Sequence, residues 1–135
     1  MTTPFIDTNI FLRHLTRDDP AKAEACFQLI QRIEQGTITA WTSELVIAEL
    51  VFVLHKQYRL DRLTVRDLLL PLISLPGLKI AHKRMYRRVF DLFASGPVGY
   101  NDAYNAALME FNKATEIYSY DAEFDRIEGI TRKEP

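Results

Sequence analysis

Cysteine and histidine are scarce in this sequence. One of its 135 residues is a cysteine, Cys26, and three scattered residues are histidines. A single cysteine excludes an intrachain disulfide and is typical of a reducing, intracellular setting, so we expect a cytoplasmic location. So few cysteines and histidines also argue against a zinc site of the His/Cys type.

Long apolar runs and a strong net charge are missing as well. The longest apolar region, Leu45–Leu54, is broken by Glu49 and is shorter than the roughly 18 residues that a membrane-spanning helix needs. Residues 1–4 show neither the basic start nor the apolar stretch of a secretory signal, so none is expected. The net charge of −1 gives the chain no overall positive field for nucleic acid.

The positive charge that is present is concentrated in one segment, Lys79–Arg88, which contains no acid. If this segment is helical, Arg84, Arg87 and Arg88 share a face. A solvated helix side explains such a face, and so does binding of phosphate or of an acidic partner. The sequence leaves these alternatives open.

Hydrophobic periodicity and helix caps predict one domain over residues 1–135, in which strands alternate with helices. The segment Glu44 to Tyr58 is helical by its length, although its β-branched residues also suit a strand. Such alternation is typical of an α/β fold with a parallel sheet covered on both faces. The predicted strands are Phe5–Ile6, Thr37–Thr42, Leu78–Ala81, Glu116–Tyr120 and an edge strand at Ile130; the further helices begin near Ile10, Pro20, Val65 (capped by Thr64 with Asp67, and kinked at Pro71), Lys83 and Asn101.

Four acids stand out by position. Asp7 and Asp121 each follow a predicted strand directly, and the carboxyl ends of parallel strands share one edge of a sheet, where ligands bind. Glu49 lies inside an apolar helix, where a charge is rarely buried unless it is paired or bound to a metal. Asp102 is in the first turn of its helix. Taken singly, each has a structural alternative: a helix cap for the aspartates, and an ion pair or a core-edge position for Glu49.

Taken together, the four carboxylates point to a divalent cation. Two carboxylates about 4 Å apart repel by roughly 4 kcal/mol at an effective dielectric near 20, so four converging acids need a positive charge among them. Hard cations such as Mg²⁺ or Mn²⁺ take oxygen ligands and, when held by carboxylates, meet the phosphate oxygens of a substrate. This chemistry is that of phosphodiester hydrolysis.

Four segments, in order, resemble the PIN-domain family, in particular the VapC-type toxins of prokaryotic toxin–antitoxin pairs. They are Phe5–Arg13 (FIDTNIFLR), Ser43–Leu50 (SELVIAEL), Asp102–Ala103 at the head of an alanine-bearing helix, and Ser119–Arg126 (SYDAEFDR). The resemblance covers nearly the whole chain. It implies a three-layer fold with a central, mostly parallel sheet of about four to five strands flanked by helices.

The resemblance also implies an activity and a site. Asp7, Glu49, Asp102 and Asp121 match the family's acidic quartet, which holds one or two Mg²⁺ or Mn²⁺ ions and cleaves RNA endonucleolytically. Supporting polar groups would be Thr8, Asn9, Ser119 and Asp125, and candidate phosphate contacts are Arg84, Arg87 and Arg88. The implied partners are an RNA substrate, a cognate antitoxin protein and a second copy of the chain.

Other functions require sequence features that can be compared with this chain. A haloacid-dehalogenase-like phosphatase needs a second aspartate two residues after the first, and this position holds Asn9. A receiver-type phosphorylation domain needs an acidic pair after the first strand, which Asp7-Thr8 does not supply. A non-catalytic interaction module whose carboxylates are only helix caps stays open, as does a PIN nuclease that acts in RNA processing outside toxin–antitoxin systems.

Overall fold

The computed structural model describes residues 2–135, which form two units, one that ends at Lys83 and one from Arg84 to Pro135. Each unit combines helices with one pair of parallel strands. The first contains α1 (Thr8–Thr16), α2 (Pro20–Glu34), β1 (Ala40–Trp41), α3 (Glu44–Phe52), a π-helix (Val53–Gln57), α4 (Arg62–Ile73) and β2 (Leu78–Lys79). After a 3₁₀ turn at Lys83–Met85 come α5 (Tyr86–Ser95), α6 (Tyr100–Phe111), β3 (Glu116–Tyr118), a 3₁₀ helix (Ala122–Arg126) and β4 (Thr131–Lys133).

In the first unit, three extended segments run in the same direction. β1 pairs with β2 in parallel, with Trp41 opposite Lys79, and Phe5 forms a parallel bridge to Trp41. The Ile6 amide donates to the Trp41 carbonyl at 2.9 Å. The carboxyl ends of these segments therefore lie at one edge, which Asp7 follows directly, as the sequence predicts for this part of the chain.

A close backbone approach holds β2 in place. A Cβ atom on Gly77 would lie 2.5 Å from the carbonyl oxygen of Ile33 and 2.6 Å from that of Ile38, so only glycine fits. The Gly77 carbonyl then accepts a hydrogen bond from the Ala40 amide at 2.9 Å. The turn after α2 is thereby packed against the start of β2.

The core of the first unit comes from the apolar faces of its helices. Fully buried side chains on this core include Phe11, Ile33, Ile47, Leu50, Leu54, Val65, Leu69, Ile73 and Leu78. Each such side chain contributes about 1.5–3 kcal/mol relative to an exposed one. These contacts anchor α1 and α3, the two helices that carry the predicted acids of this unit.

Two of the predicted helix starts are confirmed and one is wrong. Asp19 caps α2, with Pro20 at its first position, and Ser43 caps α3 by accepting from the Val46 amide at 3.2 Å. α4, however, begins at Arg62 and not at Val65, because the Asp61 carboxylate accepts from the Thr64 amide at 2.7 Å. An Asp side chain at the N-cap satisfies this donor, so the predicted capping box that starts at Thr64 does not form.

Pro71 lies inside α4, as predicted, and the helix continues to Ile73. The interior of the preceding helix differs from expectation. The predicted helix from Glu44 to Tyr58 is helical throughout, which removes the helix-or-strand ambiguity, but its α-helical part ends at Phe52 and it continues as a π-helix. In the π-helical part the Tyr58 amide donates to the Val53 carbonyl at 3.0 Å, a spacing of five residues.

In the second unit, β3 and β4 pair in parallel, with Tyr118 opposite Lys133. β4 covers Thr131–Lys133, one residue beyond the predicted edge strand at Ile130. The basic helix predicted from Lys83 begins as the 3₁₀ turn and becomes α-helical at Tyr86. α5 and α6 each have one apolar, buried face. The residues that are fully or almost fully buried on these faces are Tyr86, Val89, Phe90, Phe93, Ala103, Ala106 and Ala107.

The α/β class is therefore confirmed. Among residues 2–135 the strands number four, the lower of the two predicted figures, and every pairing between them is parallel. They are arranged as two sheets of two strands, one in each unit, where the sequence predicted one central sheet. Within residues 2–135, no helix is both long enough and apolar enough to cross a membrane.

Candidate active site

Asp7 lies at the start of α1, as its N-cap. Its Oδ1 accepts a hydrogen bond from the Thr8 amide at 2.8 Å, and its side chain is exposed. The structural alternative, a helix cap, is thus realised. It engages only one of the two carboxylate oxygens in the hydrogen bond, so capping and cation binding are compatible.

Glu49 is brought to the start of α1 by Thr8. The Thr8 hydroxyl, on a residue that is 5% exposed, donates to Oε2 of Glu49 at 2.9 Å. One residue therefore donates through its amide to Asp7 and through its hydroxyl to Glu49. Thr8 thus links the two acids of the first unit, and its orienting role in a metal site stays a prediction.

The expected setting of Glu49 needs a correction. Its side chain is exposed, and its neighbours one turn away on the same face, Leu45 and Phe52, are also 81% and 57% exposed. α3 is so apolar that its open face carries large hydrophobic residues, and sequence alone could not separate this face from the buried one. The carboxylate of Glu49 is therefore accessible to a cation.

The second unit gathers three carboxylates. Asp102 is in the first turn of α6, Asp121 follows β3, and Glu123 lies in the next 3₁₀ helix. One oxygen from each of these three residues lies within 4.8 Å of the other two. At this separation each pair repels by between about 1 kcal/mol in water and about 3 kcal/mol at an effective dielectric of 20.

Local hydrogen bonds orient this cluster. The Ser119 hydroxyl oxygen accepts from the Asp121 amide at 3.0 Å, and Oδ1 of Asp121 accepts from the Glu123 amide at 2.9 Å. Ser119 thus contacts the backbone of Asp121, and its supporting role in a metal site stays a prediction. Asp121, like Asp7, is a helix cap with one oxygen engaged by the backbone.

Burial raises the pKa of Asp102, and the negative charges of Asp121 and Glu123 raise it further. A carboxyl group whose pKa is higher in the folded state than in the unfolded state favours folding at low pH. That contribution is lost as the pH rises from the ordinary value of 3.8 through the raised pKa. A bound cation would reverse the effect because it favours the ionised form.

Glu123 is the site residue that sequence reasoning missed. Asp125, one helical turn after Asp121, was predicted as a supporting residue instead. An α-helix would place these two acids on the same face. The turn after Asp121 instead brings Glu123 beside Asp121. The sequence feature that could have indicated Glu123 is an acid two residues after a capping aspartate. Asp125 pairs with Arg132, whose Nε lies 3.1 Å from Oδ1.

The remaining predicted residues form no hydrogen bond or ion pair with the four predicted acids within residues 2–135. Asn9 is exposed on α1 and, within residues 2–135, no recorded hydrogen bond joins it to a predicted carboxylate. Arg88 forms a two-pronged ion pair with Glu110, at 2.9 and 2.8 Å. Arg84 and Arg87 are exposed, and no ion pair is recorded for either in the described part of the chain.

The chemistry of the donors fits a hard divalent cation. All three groups in the second unit are carboxylates, and their separation of at most 4.8 Å is close enough for them to repel one another. In the first unit, Asp7 and Glu49 add two exposed carboxylates joined through Thr8. Oxygen donors of this kind suit Mg²⁺ or Mn²⁺ better than softer metals.

Comparison with known protein families gives a match over most of the chain. The family model described as PIN domain matches residues 5–130 and so runs through both units. No curated protein matches the chain. PIN domains are typically nucleases that need a divalent metal, and the acidic cluster is the feature that such an activity requires. The chain belongs to the PIN-domain family.

Proposed function

We propose that this protein is an endoribonuclease that hydrolyses RNA phosphodiester bonds with Mg²⁺ or Mn²⁺. The observation that carries the proposal is the convergence of Asp102, Asp121 and Glu123 within 4.8 Å in a chain of the PIN family. We also propose Asp7 and Glu49, the two acids of the first unit, as metal ligands. The proposal treats residues 1–135 as one nuclease domain, in line with a family match that extends over both units.

In the proposed reaction, the metal ion and the residues of the chain have separate roles. When bound, the metal would lower the pKa of the attacking water and stabilise charge on the leaving oxygen. Thr8 donates to one carboxylate oxygen of Asp7 and to one of Glu49, and the Glu123 amide donates to one of Asp121, which leaves the other oxygen of each carboxylate for a cation. Such orienting contacts cost about 10- to 100-fold in metal affinity when they are removed.

Phosphate binding falls to exposed arginines. Arg84 and Arg87 can neutralise phosphates of an RNA strand, because no ion pair is recorded for either in the described chain. Arg88, the third candidate, must release Glu110 first, so we expect it to contribute less. The overall charge of −1 gives no general attraction to RNA, so these local contacts carry the electrostatic part of binding.

The biological role that we propose is the toxin of a type II toxin–antitoxin system. It is supported by the likeness of the four sequence segments to VapC-type toxins, and it entails a cognate antitoxin and a homodimer. Expression of the wild type, but not of Asp7→Asn, should then arrest growth, and co-expression of the neighbouring gene should relieve the arrest. Harmless expression of an active nuclease would favour a role in RNA processing.

The activity is tested with a labelled structured RNA, incubated with and without Mg²⁺ or Mn²⁺. We expect metal-dependent cuts in the wild type and none with Asp7→Asn. Asp91→Asn is the matched control, because Asp91 is an exposed acid of α5 outside the site. Metal-independent cuts, or cuts that persist in Asp7→Asn, would contradict the proposal. The absence of both cleavage and metal binding would support a non-catalytic interaction module.

A further inference from the structure

A groove of about 740 Å³ opens in the first unit, at the carboxyl ends of β1 and β2. Its walls are mostly apolar and include Trp41, Leu45, Ile80 and Ala81, with Lys79 among them. Clefts at this edge of a parallel sheet are where ligands bind in open α/β folds. None of the residues assigned above to the metal site lines this groove.

Trp41 offers a flat apolar surface at the groove. Its indole Nε1 donates to the Thr3 carbonyl at 3.1 Å, and its ring meets Phe5 edge to face, with the ring centroids 4.8 Å apart. Two contacts therefore hold the ring, yet the residue is 46% exposed. A held, half-exposed indole is suited to stacking against a nucleobase.

Lys79 provides a cation beside this ring. It is opposite Trp41 in the β1–β2 register, and both are exposed and line the groove. In the described chain no ion pair is recorded for Lys79, whereas the acid of the groove, Glu44, is hydrogen bonded to His82 at 2.9 Å. The free positive charge next to an aromatic surface complements a nucleotide, which has a phosphate next to a base.

The groove also lies at a suitable distance from Glu49. Leu45 lines the groove and precedes Glu49 by four residues on α3, which places the two side chains about 5–6 Å apart on one face. This separation is within the span of one nucleotide. A base in the groove would thus belong to a nucleotide next to the phosphodiester bond that is cleaved at the metal-binding carboxylates.

We propose that this groove binds one unpaired nucleobase of a single-stranded RNA, stacked on Trp41, with an adjacent phosphate at Lys79. The inference rests on the proposed ribonuclease function and makes its substrate single-stranded at this position. A base inside a duplex is paired and stacked, so it cannot enter a groove of this kind. The groove would therefore select an RNA loop or end.

Trp41 is the only tryptophan of the chain, so its fluorescence reports on the groove directly. Wild-type protein is titrated with each of the four ribonucleoside 5′-monophosphates and with ribose 5-phosphate, which has no base. Free tryptophan amide, titrated in parallel, corrects for absorption by the bases. We expect saturable quenching by at least one nucleotide and none by ribose 5-phosphate. Lys79→Ala should weaken this binding, whereas Lys22→Ala, at an exposed lysine of α2, should not.

Binding of a fluorescently labelled single-stranded oligoribonucleotide, followed by anisotropy, tests the stacking. Trp41→Ala should weaken it by between about 5-fold and about 150-fold, the range for loss of one stacked base. Trp41→Phe should restore most of the loss, and Phe111→Ala, at an exposed aromatic residue of α6, should have no effect. Circular dichroism of each variant checks that it is folded.

The absence of saturable quenching by any nucleotide would overturn the inference. So would a Trp41 emission that changes with protein concentration alone, because a second copy would then cover the groove. The proposed function is judged separately: metal-dependent cleavage without nucleotide quenching would refute only the groove. Nucleotide quenching in a protein that neither binds metal nor cleaves RNA would refute the nuclease and retain the groove.

Discussion

Thr8→Val removes the one side-chain hydroxyl that joins the two acids of the first unit. Valine has nearly the same shape as threonine, so the substitution deletes the 2.9 Å bond to Glu49 without opening a cavity at a residue that is 5% exposed. A hydrogen bond to a charged group contributes about 1.5–3 kcal/mol. Because Glu49 is exposed, water can replace the lost donor, and no buried polar group is left unpaired. We therefore expect the free energy of unfolding to change by less than about 1 kcal/mol.

The effect on the metal should be larger than the effect on stability. Glu49 would lose the contact that holds its carboxylate in position, and contacts of this kind are worth about 10- to 100-fold in metal affinity. Titration calorimetry with Mn²⁺ measures this change, and thermal unfolding without metal measures stability. Thr8→Ser retains the hydroxyl and should recover most of the affinity.

Thr16→Val is the matched control for this experiment. Thr16 is in the last turn of the same helix, and its hydroxyl donates to the Leu12 carbonyl at 2.8 Å, far along α1 from Asp7. The control should leave the Mn²⁺ affinity unchanged. The reasoning would be refuted if Thr8→Val bound Mn²⁺ as tightly as the wild type, or if Thr16→Val lost affinity equally.

Three further results are expected. In metal-free protein, Asp102→Asn should flatten the fall in stability between pH 4 and neutral pH, since it removes a carboxyl group whose pKa is raised. It should also raise the unfolding free energy at pH 7 by about 0.5–1 kcal/mol, because repulsion among the carboxylates is relieved. An unchanged pH dependence of unfolding would count against this prediction. Glu123→Gln should weaken Mn²⁺ binding more than Asp125→Asn, because Asp125 is paired with Arg132; calorimetry would show the reverse order if Asp125 were the ligand. Arg87→Ala should weaken RNA binding and reduce its salt dependence by about one charge, without loss of stability. Arg88→Ala should instead cost about 0.2–1 kcal/mol of stability, because it removes the ion pair with Glu110. Equal effects of the two variants on RNA binding and on stability would refute this difference between the two arginines.

Features that depend on local chemistry could be predicted from the sequence. Asp19-Pro20 marked the start of α2 because a capping acid followed by proline has few other uses, and Asp102 was placed correctly in the first turn of its helix. α1 begins at Thr8, two residues before the predicted start near Ile10, because Asp7 caps it. The parallel pairing followed from the alternation of strands and helices. At Asp61 the prediction failed because two overlapping caps competed, and the Asp side chain prevailed over Thr64.

Features that depend on tertiary packing could not be predicted. α3 is apolar on all sides, so nothing in its sequence indicated that Leu45, Glu49 and Phe52 share the exposed face. Glu123 was not among the predicted site residues, because the sequence did not show that the 3₁₀ helix after Asp121 brings Glu123 beside it. The acids themselves were found because they interrupt apolar strands and helices, but their hydrogen-bond partners emerged only from the structure.

The central claim is that the carboxylates of Asp7, Glu49, Asp102 and Asp121 are ligands for a divalent cation. Calorimetric titration of Mn²⁺ into the wild type and into Asp7→Asn, Glu49→Gln, Asp102→Asn and Asp121→Asn tests it most directly. We predict that the wild type binds and that every one of the four variants loses affinity while remaining folded. Binding that is weakened only by Asp102→Asn and Asp121→Asn, or no binding by the wild type, would contradict the claim.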